Sequence, residues 1–307
     1  MAANTTLSLT AQSGTKEVAI MVSNMSSLGF AVSNEHELQA LVVKLAGEAS
    51  AGLTTSVGDY RIWRSRTGAE LWFHVANTSA PSTAASASGQ SQPEEREIVG
   101  LTPFFEGKSS VLANITTRFQ RDGDTPFEGA LQAWVLPAAN PSKYTEGGRS
   151  TGTADDDDDD GVYPIVFDCV EYAAHAASTA PSKCNIRLAG FAREVSAYPN
   201  EAAFDEAQSA SPHPLAAQSF FPVGMFAAAS GDSQSPSSHA MFAGEVLETA
   251  QFINEETKNP YQWMLVKSLE ATFDVVADPS CITGTVEPGA IVQVACWMFG
   301  RILPETT

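Results

Sequence analysis

The chain has 307 residues with 36 acidic and 17 basic side chains, a net charge of −19, and only 17% of its residues are charged. A general duplex-DNA binder is excluded by that balance, because affinity for a polyphosphate comes from Lys and Arg neutralising it, and anionic membrane surfaces are disfavoured for the same reason. Hydrophobic residues make up 43%, enough for a core, at a length that suits one large or two ordinary domains.

Residues 1–15 are polar, lack the basic and apolar stretches of a secretory signal, and read as a disordered N-terminus. No stretch approaches the ~18 apolar residues of a membrane-spanning helix. Cys169, Cys184, Cys281 and Cys296 stand singly, without a CxxC pair, so reduced thiols and a cytoplasmic location are the expectation.

Glu17 to Val22 is an apolar run of strand length. Ser33 or Asn34 then caps a helix in which Glu35 and Glu37 occupy the first turn, Leu38, Leu41, Val42 and Leu45 recur at helical spacing, and Gly47 is a stop. Tyr60 to Arg64 and Glu70 to Val75 flank Thr67-Gly68 as a β-hairpin. Further strands are expected at Glu97 to Leu101, Ser110 to Phe119, Ala130 to Val135, Val162 to Val170 and Asn185 to Ser196, with a short helix from Asn200 to Gln208. Three low-complexity tracts interrupt them: Asn77 to Glu95, Pro141 to Gly161 with six aspartates from Asp155 to Asp160, and Ala227 to Ser238. The predicted class is mainly β (α+β), an N-terminal antiparallel sheet with one or two helices. Residues 16–226 form one domain with flexible loops at 77–95 and 141–161, and residues 239–307 a second.

In that last block Met241 to Glu248 is a strand with a glycine, Gly244, in its middle, a mark of a bend or a close backbone approach. Tyr261 to Val266 and Ala271 to Val276 continue a meander, and Ile291 to Met298 is a long apolar strand after Gly289. A glycine-bent first strand, a meander and a late apolar strand resemble an OB-fold, a small Greek-key barrel, over about 65 residues; the remainder looks like a bacterial protein without a family pattern. OB-folds bind single strands with aromatic platforms and a basic groove, so the resemblance implies a nucleic-acid role for Tyr261, Trp263, Phe273 and Trp297. The charge opposes it: residues 240–301 carry three cations against eight carboxylates.

Arg61, Trp63, Arg64 and Arg66, with Trp72 across the hairpin, form the one basic cluster with interleaved aromatics, suited to an acidic partner. Strand alternation puts Arg64 and Arg66 on one face with Tyr60 and Ile62, and Arg61 and Trp63 on the other. The aspartate run reads as a solubilising loop, since consecutive carboxylates repel and do not converge on an ion. The five histidines are scattered without ligand spacing, so no metal is expected. Phe220 to Phe226 reads as a clasp between blocks, or else as an exposed docking patch. GxSxG, Walker and GxGxxG patterns are absent, so no catalytic residue and no cofactor is nominated. The expectation is a non-catalytic binding or assembly protein that recognises a protein partner or itself, through Arg61, Trp63, Arg64, Arg66, Trp72, Tyr261, Trp263 and Trp297. The alternatives are a single-stranded nucleic-acid binder and a hydrolase with a dispersed site.

Overall fold

The computed structural model describes residues 7–9, 24–31, 34–77, 96–137, 161–175, 182–209, 211–212, 214–229 and 235–304. The strand expected at Glu17 to Val22, most of the first two low-complexity tracts with the aspartate run, and His213 lie outside these residues. The described chain is mainly β, in an antiparallel-based sheet and a larger mixed one, with a few helices.

Sheet A runs in the order β1–β5–β4–β3–β2. It is built from β1 (Leu7–Leu9), β2 (Ser50–Thr54), β3 (Gly58–Arg64), β4 (Ala69–Ala76) and β5 (Arg96–Phe105). Only β1 joins in parallel. Helix α1 (Glu35–Glu48) contributes Leu38, Val42 and Leu45 to the same core as this sheet. Of the two capping candidates Asn34 does the work, its side chain accepting from the Glu37 N–H at 2.9 Å. The helix continues through Gly47 to Glu48, because the packing of Leu45 and Ala46, both fully buried, outweighs the modest cost of glycine near a helix end.

Sheet B takes β6 (Val111–Phe119), β7 (Ala130–Val135), β8 (Tyr163–Cys169), β9 (Ser182–Tyr198), β10 (Ser219–Phe221), β11 (His239–Ile253), β12 (Pro260–Ser268), β13 (Ala271–Ala277), β14 (Ile282–Thr283) and β15 (Ile291–Ile302). Followed from neighbour to neighbour, β11, β12, β13, β9 and β15 form a circuit that returns to β11, with only the β13–β9 step parallel. The long strand β9 belongs to the block before residue 226 yet lies between β13 and β15. The ladder therefore runs across residues 226–239, with β13 and β15 pairing to a strand that precedes them. Gly244 sits in β11 where a Cβ would meet the Lys267 carbonyl at 2.3 Å, the close approach that its mid-strand position announced.

Strand alternation divides the interior in two. Ile186, Leu188 and Ala192 of β9, Met264 and Val266 of β12, and Val292, Val294 and Met298 of β15 share one core within sheet B. Their neighbours Ala189, Phe191, Trp263, Leu265 and Phe299 point the opposite way and join the core of sheet A and α1. Strands buried on both faces explain why these segments read as continuous apolar runs.

The helix α2 (Glu201–Gln208) is capped by Asn200, whose side chain accepts from the Ala203 N–H at 2.9 Å. The run Phe220 to Phe226 divides between strand β10 and helix α3 (Val223–Ala229). Phe220 is buried and stacks on Tyr163, Phe242 and Phe273 at 5.0, 5.9 and 5.4 Å, whereas Phe226 is 64% exposed. The tract after α3, expected to be loose as far as Ser238, ends in a fully buried Ser238.

His74 on β4 is completely buried, stacked on Phe127 at 5.2 Å and edge-on to Tyr60. Its Nε2 lies 3.2 Å from Thr102 Oγ1, and among the described residues its Nδ1 has no partner. Burial lowers its pKa to about 3. Because the folded value lies below the unfolded ~6.5, the unfolded chain binds the extra proton, and stability falls as pH drops from about 6.5 towards 3. Urea unfolding of the wild type and His74→Phe between pH 7 and 5 is expected to show an extra wild-type loss approaching about 1.4 kcal/mol per pH unit; parallel profiles contradict it.

Candidate binding site

The hairpin β3–β4 turns through Ser65, Arg66, Thr67 and Gly68. Gly68 has φ +95°, a conformation open to glycine at little cost, and its carbonyl accepts from the Glu106 N–H at 2.8 Å. This turn, Glu106 from the crossover between the two sheets, and Arg301 from the end of β15 enclose an open polar cavity of about 480 Å³. Arg64, Arg66, Arg301, Glu70 and Glu106 all line it.

Each charged group except Arg66 is held by a specific contact. Glu70, only 2% exposed, accepts from Arg64 Nε and from Trp72 Nε1, both at 2.7 Å. Glu106 accepts from Arg187 and from Arg301 Nη1, the latter at 3.0 Å. Arg301 also pairs with Glu171 at 3.5 Å and lies over the Trp72 ring at 5.1 Å. Its Nε is buried without a hydrogen-bond partner among the described residues. Arg66 differs: its side chain is 94% exposed and its Nε stands 3.9 Å from Glu255, a separation at which a solvated pair contributes little. The turn is pinned from below, where Thr67 Oγ1 lies 2.7 Å from Tyr261 Oη and 2.9 Å from Ser65 Oγ. Burial pushes the Tyr261 phenol above its ordinary value, so it stays neutral near pH 7.

Of the eight residues nominated from sequence, the cavity receives Arg64 and Arg66. Trp72 stands behind it and Tyr261 beneath it, both fully buried. Arg61 donates to the Ala49 carbonyl at 2.8 Å, tying β3 to the end of α1. Trp63 is buried against Phe30 at 5.7 Å. Trp263 is also buried, and its Nε1 donates to Asp274 at 2.8 Å. Trp297 donates to Asp168 at 2.7 Å, with Arg121 over its ring at 5.8 Å. Trp63, Trp72, Tyr261 and Trp263 are packing residues with no open face for a base to stack on. The sequence reading did not find Glu70, Glu106 and Arg301, because nothing along the chain brings positions 70, 106 and 301 together; Ser65, Thr67 and Gly68 were legible only as a turn.

The described residues hold no nucleophile–base–acid chain. Ser237 Oγ meets His239 Nδ1 at 3.2 Å, but the nearby Asp168 is taken by Arg121, Ser238 and Trp297. Burial lowers the His239 pKa, with Arg193 adding to the effect. The four cysteines are free thiols, and burial raises that of Cys296 to about 12, far from the thiolate that nucleophilic chemistry requires. Among the described residues no group of three or more His, Cys, Asp or Glu side chains is placed to hold a metal ion, and no helix is long and apolar enough to cross a membrane. Comparison with protein-family models, curated proteins and solved structures finds no match.

If the Thr67–Tyr261 contact fixes the turn that carries Arg66, a double-mutant cycle with Thr67→Val and Tyr261→Phe should give a coupling of about 0.5–1.5 kcal/mol in urea unfolding. Additive losses contradict that pinning.

Proposed function

We propose that this chain is a non-catalytic binding protein whose β3–β4 turn receives an acidic segment of a protein partner. One observation carries the proposal: three arginines line one open cavity, and the outermost, Arg66, is almost wholly exposed, its guanidinium held by no hydrogen bond among the described residues and facing Glu255 only as a solvated pair at 3.9 Å. A guanidinium left in that state is a ready donor for a carboxylate brought by another molecule. The flanking surface suits a peptide better than a nucleic acid. The net charge of −19 repels a polyanion as a whole, while within a Debye length of ~8 Å a single carboxylate meets the three arginines of the cavity against its two glutamates. The buried tryptophans also leave a single strand without stacking platforms there.

Selection from a random-peptide display library against the full chain is the test. The expected result is enrichment of peptides that share at least one Asp or Glu, and at least a tenfold loss of their affinity on Arg64→Ala/Arg66→Ala. No enrichment, or salt-dependent binding of an oligothymidylate that the double variant abolishes, overturns the proposal.

A further inference from the structure

We infer that Arg64, held by Glu70 and Trp72, presents an end-on guanidinium fork that selects a single carboxylate; this deepens the binding proposal above and rests on it.

The inference begins with an asymmetry in how Arg64 is bound. Its Nε is spent on Glu70 Oε1 at 2.7 Å, and among the described residues neither Nη group has a partner. A guanidinium has five N–H donors in a rigid plane. With the Nε edge occupied, the edge left for a ligand is the pair of Nη groups, which matches the two oxygens of a carboxylate. The side chain is 47% exposed and lines the open cavity, so that edge is reachable.

Glu70 fixes the direction of this fork. Its side chain is 2% exposed and its second oxygen receives the Trp72 indole N–H at 2.7 Å. Trp72 is itself 1% exposed and lies under Arg301. An indole that cannot move holds a carboxylate that cannot move, which holds one edge of the guanidinium. Glu70 and Trp72 are positioning residues, since neither offers a free donor. Arg66, two residues on and 94% exposed beside Glu255, supplies the second cation. Glu70 and Glu106 line the same cavity and offset Arg64 and Arg301, to which they are hydrogen-bonded, which leaves about one net positive charge, matched by a monoanion and exceeded by a dianion. The site therefore favours a carboxylate over a phosphate.

The test uses the full chain labelled with ¹⁵N and follows the Arg64 Nε–Hε resonance, assigned by its loss in Arg64→Lys. The probes are N-acetylglycine, which carries a chain-terminal carboxylate, N-acetylaspartic acid amide, which carries a side-chain carboxylate, N-acetylglycinamide as the neutral control, and inorganic phosphate at pH 7.5. Saturable shifts with one or both carboxylates at millimolar concentration are expected, the stronger of the two identifying the source. The neutral amide should cause none, and phosphate should bind at least threefold more weakly than the better carboxylate. Glu70→Gln should move the Arg64 resonance in the free protein and weaken the carboxylate at least threefold, with partial recovery in Glu70→Asp. An unmoved Arg64 signal with both carboxylates, equal response to phosphate, or unchanged carboxylate affinity in Glu70→Gln overturns the inference. Should the Glu70 variants fail to fold, the wild-type titrations still decide it. Display peptides that bind while the carboxylates leave Arg64 unmoved would sink the fork alone, whereas the absence of any binding peptide sinks the binding proposal itself.

Discussion

A carboxylate removed from water must replace every hydrogen bond it gives up, or the fold that buries it does not persist. The demand is sharpest at Asp274 in β13, which is completely buried. It accepts from the Lys108 N–H at 3.0 Å, the Ser109 N–H at 2.7 Å and the Trp263 indole at 2.8 Å. Two of those donors belong to the crossover between β5 and β6, the segment in which the chain leaves sheet A and enters sheet B. Ser109 extends the attachment, since its hydroxyl both donates to the Leu188 carbonyl at 2.8 Å and accepts the Leu188 N–H at 3.1 Å in β9. One buried side chain thus ties the crossover between the two sheets to β13.

The same device recurs. Trp72, Trp263 and Trp297 each donate an indole N–H to a carboxylate, Glu70, Asp274 and Asp168 respectively, at 2.7–2.8 Å. Indoles that carry such a partner can be buried without leaving a donor unsatisfied. The candidate cavity grows out of two of these pairs. Glu70 and Trp72 orient Arg64 on one side, while the crossover anchored by Asp274 delivers Glu106 on the other, where it gathers Arg187 and Arg301. The arginines at the rim are therefore set by the core behind them.

Local patterning revealed much of this fold. Asn34 and Asn200 cap their helices where polar residues precede apolar ones at helical spacing, and Thr67-Gly68 closes the hairpin between its two strands. Arg64 and Arg66 stood out because cations are scarce in this chain. What the sequence hid is long-range. The place of β9 between β13 and β15 depends on ladder pairing that no local periodicity encodes. Glu70 and Asp274 carry no motif along the chain, because their partners lie across the fold or two residues along it. The tryptophans attracted attention for their ring faces, yet it is their N–H groups that the structure uses. Phe220 and Phe226 show the opposite limit: six positions apart in one apolar run, one fills the core and the other faces solvent.

Urea unfolding of Asp274→Asn against the wild type at pH 7 tests the role of the buried carboxylate most directly. A carboxamide cannot accept from all three donors at once, so the midpoint should fall with an unchanged slope, a stability loss of about 1–3 kcal/mol for the donor left unsatisfied, up to a chain that no longer folds. A variant within about 0.5 kcal/mol of the wild type, the range of an ordinary surface change, would contradict the account.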